Sequence, residues 1–115
     1  MNVIKITDVT NSPNFIAHRY GVQVYDRICS CLDRGEKVKV SFEGMETVTA
    51  SFLSPAIGNL YGRYDKGFLS EHLEITEITD VGRMYPDRVI DVAELYFQDP
   101  EQFIKDMNEI LDESE

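Results

Sequence analysis

The chain has 115 residues, 43% of them hydrophobic, which suits one domain built on one core. Asp and Glu number 21 against 11 Lys and Arg, a formal net charge of −10, and the cations are scattered, which excludes a role built on neutralising DNA or RNA phosphates. With no run of about 18 apolar residues and no basic-then-apolar leader, the sequence predicts neither a membrane span nor a signal peptide, and so a cytoplasmic protein.

The predicted elements begin with a short strand at "NVIKI", where Val3, Ile4 and Ile6 supply β-branched side chains, followed by a loop at "TDVTNSPN". Ile16, Tyr20, Val24, Ile28 and Leu32 recur every four residues, Cys31 shares their stripe and Gly35 supplies a stop, which predicts a first helix with one buried face. Cys29 and Cys31 stand two apart on it and point in different directions, so they are expected to pack rather than pair, and no metal or cofactor is expected. "KVKVSF" alternates Lys37 and Lys39 with Val38 and Val40 before the turn residues Glu43 and Gly44, the pattern of a strand with one wetter face.

Ser54-Pro55 reads as the start of a second helix, with Ser51 as an alternative start, and Ala56, Ile57, Leu60, Tyr61 and Tyr64 make its apolar face. "HLEITEIT" predicts a third strand. "DRVIDVAELYF" carries Val89, Val92, Ala93 and Tyr96 at helical spacing, with Pro86 near the start of a third helix. Asp99, Pro100 and Gln102 then open a C-terminal helix at about 100–111, striped by Phe103, Met107, Ile110 and Leu111. The expected order is strand, helix, strand, helix, strand, helix, helix, an α/β class in which helices cover a small sheet, within a single domain spanning 1–115. The aromatic positions Tyr20, Tyr61, Tyr64, Tyr96 and Phe103 are expected in the core and its rim.

Catalytic signatures are missing. There is no GxGxxG, GxxxxGK[ST], GxSxG or HExxH, and nothing in the sequence sets His18 or His72 beside a serine, so no enzyme is expected. What stands out is a cluster of hydroxyls, Thr47, Thr49, Ser51 and Ser54, where the second strand gives way to the second helix.

That segment, "VKVSFEGMETVTASFLSPAIGNL", resembles the centre of the STAS domains of anti-sigma factor antagonists, in which a hydrophobic strand and a glycine turn lead to an Asp-Ser-Ser-Gly type motif at the start of a helix. Gly44 matches the turn glycine, Thr49 the Asp, Ala50 the first Ser, Ser51 the phosphorylatable Ser and Phe52 the Gly. The likeness is closer to the divergent STAS-like group, the DUF4325 family, where Ser-Phe stands at this point and an Arg is common early in the first helix, here Arg19. The resemblance runs over about Val3 to Phe97.

The resemblance implies a STAS-like fold and a regulatory protein–protein binding module that docks a histidine-kinase-like ATPase or another signalling protein, switched by phosphorylation at Ser51. Its implied partner-binding residues are Thr49, Ser51, Phe52, Ser54, Ile57 and Tyr61. Thr49 and Phe52 depart from the antagonist motif, which weakens the phosphorylation inference more than the docking one. The net charge alone suggests an alternative, an acidic inhibitor or decoy that occupies the basic surface of a nucleic-acid-binding protein. Oligomeric state has no sequence signal.

Overall fold

The computed structural model of the chain describes residues 2–102 and 105. Three strands, β1 (Asn2–Lys5), β3 (Val38–Ser41) and β5 (Leu73–Thr76), form an all-parallel sheet in the order β1-β3-β5. The fold is mixed α/β with a small parallel sheet, as the sequence predicts, and β3 is its centre. The register aligns Ile4, Val40 and Ile75 on the inner face. Val40 is wholly buried there. Val3, Lys39 and Glu74 form the row on the opposite face, with Val3 and Glu74 exposed. The alternation of "KVKVSF" thus records a sheet with one covered face.

The helix α2 (His18–Leu32) covers β1 and β3 with Val24, Ile28, Leu32 and Cys31, all buried. The turn that follows it closes at Gly35, whose N–H donates to the Leu32 carbonyl at 2.9 Å and whose φ of 73° is the left-handed conformation that glycine adopts most easily. Cys29 is also buried, and both thiols are free. Ile16, predicted on this stripe, precedes the helix and is exposed, because the chain enters α2 only at His18.

The predicted loop before α2 contains structure. Ile6–Thr10 forms the short helix α1, and Asn14–Phe15 forms β2, a two-residue strand parallel to β4 (Thr47–Val48). Ile6 is fully buried and terminates β1 by turning into α1.

The second helix starts earlier than Ser54-Pro55. The carbonyl of Thr49 accepts the amides of Phe52 at 3.2 Å and Leu53 at 3.0 Å, so the first turn closes as α3 (Ala50–Leu53). Pro55 then falls inside a continuing helix, where it lacks the N–H that an α-turn requires. The backbone widens into a π-helical turn over Ser54–Gly58, in which Asn59 N–H reaches back five residues to the Ser54 carbonyl at 3.0 Å, before α4 (Leu60–Arg63) resumes. Ala56, Ile57 and Leu60 are buried on the predicted face. A further short helix, α5 (Lys66–His72), leads into β5.

The third helix, α6 (Asp80–Gln98), is longer than predicted at its N-terminus. Thr79 caps it by accepting Gly82 N–H at 2.9 Å, so Pro86 lies within the helix instead of opening it. At its far end the Asp99 carboxylate accepts Gln102 N–H at 3.1 Å, the expected cap bond. The predicted C-terminal helix at about 100–111, with Phe103, Met107, Ile110 and Leu111, otherwise lies outside the described residues.

The helix α2 sits between the sheet and the 50–58 segment, and α6 packs against that segment in turn. The crossing of α2 on α3 is tight. A Cβ on Gly21 would overlap the Phe52 carbonyl oxygen and come within 2.7 Å of Pro55 Cγ, so only glycine permits this approach. Around it lies the core, with Phe15, Phe42 and Phe52 as its largest fully buried side chains.

Candidate functional site

The β2–β4 pair places two helix starts side by side. Phe15 pairs with Val48, and the ladder continues through Thr49 N–H to the Phe15 carbonyl at 3.1 Å and Thr49 Oγ1–H to the Ile16 carbonyl at 3.3 Å. His18 stands three residues beyond Phe15 and Ser51 three beyond Val48, so the parallel register brings both to one place. They line a shallow concavity with Ala50, Ser54, Pro55 and Asn59.

Ser51 is exposed and its hydroxyl makes no hydrogen bond, and the same is true of Ser54. Neither serine is therefore a helix cap. Thr49 occupies the cap position, and its side chain is spent on the Ile16 carbonyl instead of a helical amide. A free, exposed hydroxyl in the first turn of a helix is chemically available to phosphoryl transfer. The residues lining the concavity include no carboxylate, so a Ser51–His18 pair has no third group to orient the imidazole as a relay would need.

The other predicted partner residues divide. Phe52 is fully buried, its ring 5.6 Å from Phe15, and presents no surface to a partner. Ile57 is likewise buried completely. Successive helical residues lie about 100° apart, so Ser51 faces water while its neighbour points into the core. Tyr61 is half-buried on the far side, where burial first and then the charges of Glu94 and Asp87 raise its phenol above the ordinary value. The exposed surface of the predicted site thus reduces to Ser51 and Ser54, with Thr49 at its edge. Arg19 is exposed at the start of α2, its guanidinium 4.9 Å above the Tyr20 ring.

On α6, whose Tyr85 shares a groove with Ser54, the apolar surface is broader than the predicted stripe of Val89, Val92, Ala93 and Tyr96. Of the 19 residues of α6 only Gly82 and Pro86 are buried, whereas Val81, Met84, Tyr85 and Leu95 are more than half exposed. The apolar residues of α6 cover well over half of its circumference, wider than the stripe one packed face needs. Of the predicted stripe, Val89 and Ala93 meet Gly58 of the 50–58 segment, whereas Val92 is exposed.

An ionic cluster lies at the other end of α2. Asp33 accepts the Tyr64 hydroxyl at 2.5 Å and Arg63 at 2.6 Å. The Tyr64 hydrogen bond, ahead of the Arg63 charge, holds the Asp33 carboxyl below its usual range, and burial together with Asp33 drives the Tyr64 phenol upward. This corner ties α2 to α4 and lies outside the Ser51 concavity.

Residues 20–83, more than half of the chain, match a family described as STAS-like domain of unknown function (DUF4325). The chain belongs to this family. The DUF4325 match takes in most of α2, the central and last strands, the whole Ser51 segment and the first turn of α6, while β1 precedes it. No curated protein and no solved structure matches the chain significantly. As a STAS-like domain the chain has a type of fold that generally mediates protein interactions, and among its described residues no helix is long and apolar enough to cross a membrane.

Proposed function

We propose that this STAS-like domain is a regulatory, non-enzymatic binding module that docks a protein partner on the face formed by Ser51, Ser54 and the outer row of α6. The observation that carries the reading is the exposed apolar row Val81, Met84, Tyr85 and Leu95 on α6, whose Tyr85 lines a groove together with Ser54, a serine with no side-chain bond of its own. Exposed apolar rows of this extent mark interaction surfaces. The net charge of −10 favours a partner whose docking surface is rimmed with Lys and Arg, and the resemblance of the Ser51 segment to anti-sigma factor antagonists suggests a kinase-like ATPase as its class.

Phosphorylation of Ser51 is the proposed switch. A phosphate there would add about −1.5 to −2 charges next to His18, in the concavity that shares Ala50, Ser54 and Asn59 with the groove along α6. A partner that presents apolar groups to α6 then meets a strongly hydrated dianion, and the contact weakens. The partner is identified by affinity purification with mass spectrometry, then titrated by calorimetry against wild type, Ser51→Ala, Ser51→Asp and Met84→Asp. Ser51→Ala is expected near wild type, and Ser51→Asp and Met84→Asp each about tenfold weaker or more. Equal affinities across the four place the interface elsewhere.

A further inference from the structure

Between α6 and the 50–58 segment runs a groove of about 400 Å³, distinct from the Ser51 concavity though sharing its rim. Leu53 and Gly58 form one wall, and Val89, Val92, Ala93 and Phe97 the other. The approach of Gly58 to Val89, within 3.2 Å of where a Cβ would stand, closes the floor. From Tyr85 to Phe97 the groove follows α6 for about 18 Å.

Five of the residues lining this trough carry polar side chains, Ser54, Asn59, Tyr85, Arg88 and Tyr96. Among the described residues, the side chains of Arg88, Ser54 and Asn59 make no hydrogen bond or ion pair. Arg88 is the one cation among the lining residues. Arg88 is exposed at the rim, where its planar guanidinium, paired with none of the chain's many described acids, is able to take a carboxylate in a two-pronged bond. Groove size, apolar walls and a few convergent polar groups are the ordinary make-up of a small-molecule site.

We propose that the groove binds a single amphiphile with a medium-length acyl chain and a carboxylate head, a free fatty-acid type ligand. The chain lies against Leu53, Val89, Val92 and Phe97, and the carboxylate takes the Arg88 guanidinium with Ser54 and Asn59 as further donors. A free monomer is favoured over an anionic membrane surface because the chain's net charge of −10 repels such a surface. The site goes beyond the partner-docking reading and stands without it, since its residues and its test involve no protein partner.

The test is calorimetric titration of the full chain with dodecanoate at pH 8, below its micelle concentration, against dodecanol and dodecyltrimethylammonium. One-to-one saturable binding of dodecanoate is expected, with dodecanol about tenfold weaker or more and the cation weaker still. Arg88→Gln should bring dodecanoate down to the dodecanol level and leave dodecanol unchanged, and Val92→Asp, at an exposed position, should abolish binding of both. Absence of saturable binding, equal affinity for the three head groups, or wild-type affinity in Arg88→Gln overturns the proposal. A dimer in sedimentation of the ligand-free chain that Val92→Asp dissolves overturns it too, and assigns the groove to a second copy.

Discussion

Truncating Phe52 to alanine tests the separation of core from docking face within a single helical turn. The side chain is fully buried, and its ring lies 5.6 Å from Phe15, which in turn lies 6.0 Å from Phe42. Removing a buried phenylalanine costs about 3–5 kcal/mol, and the lost aromatic contact with Phe15 places this one toward the upper part of the range. Against a total stability of about 5–15 kcal/mol, that is a third or more of what holds the domain together. In urea denaturation followed by far-UV circular dichroism, the midpoint should fall by about 1 M or more and the melting temperature by about 10–20 °C. Ser51→Ala, one residue earlier, should stay within about 0.5 kcal/mol of wild type, because its hydroxyl is exposed and unbonded. A loss below about 1 kcal/mol for Phe52→Ala would mean that the ring lies at the surface, and would return it to the docking face.

Gly21→Ala should destabilise by about 1–3 kcal/mol in the same assay, since its Cβ would press on the Phe52 carbonyl and Pro55; a neutral result would mean that α2 and α3 do not cross here. Val40→Asp places a charge in the fully buried centre of the sheet and should leave the chain unfolded by circular dichroism, with a native melt refuting the placement of β3. Tyr64→Phe removes the main cause of the lowered Asp33 carboxyl, so its titration, followed by NMR, should move up toward the ordinary value. Because a lowered folded-state value contributes stability above the unfolded pKa and loses it as pH falls through the folded one, the variant should also show less acid dependence of its melting temperature below about pH 4.

Much of this fold was legible because periodicity survives in the chain. Val38 and Val40 alternate with lysines and mark the one covered face of the sheet, and Val24, Ile28 and Leu32 repeat as a helix does. The β2–β4 pair was not legible, since two-residue strands have no period and exist only because Phe15 meets Val48 across 33 positions. With it went the neighbourhood of His18 and Ser51, which no local pattern encodes. Phe52 was misread for a related reason: a large apolar residue beside an exposed serine suggests a contact surface, but burial changes from one helical residue to the next. Pro55 and Pro86 both resemble helix starts, yet one widens a helix into a π-turn and the other sits inside one, each tolerated because the surrounding packing fixes the backbone. The apolar breadth of α6 was present in the sequence, and the structure shows that only Gly82 and Pro86 of this helix are buried.

The connectivity of the sheet also sets how the chain must find its fold. Val38 pairs with Asn2, 36 positions before it, and with Leu73, 35 positions after it, and the three-stranded sheet contains no hairpin. No strand can therefore be templated by a near neighbour, and each pairing must first close a loop of some 35 residues. The contact of α2 with the 50–58 segment joins the β1–β3 connection to the β3–β5 connection, so forming it early would shorten the loops left to close. The rate of folding should accordingly depend on the α2–α3 contact more than on any strand, so that Gly21→Ala slows refolding, whereas substitutions on the outer row of the sheet, such as Val3→Thr, alter unfolding alone.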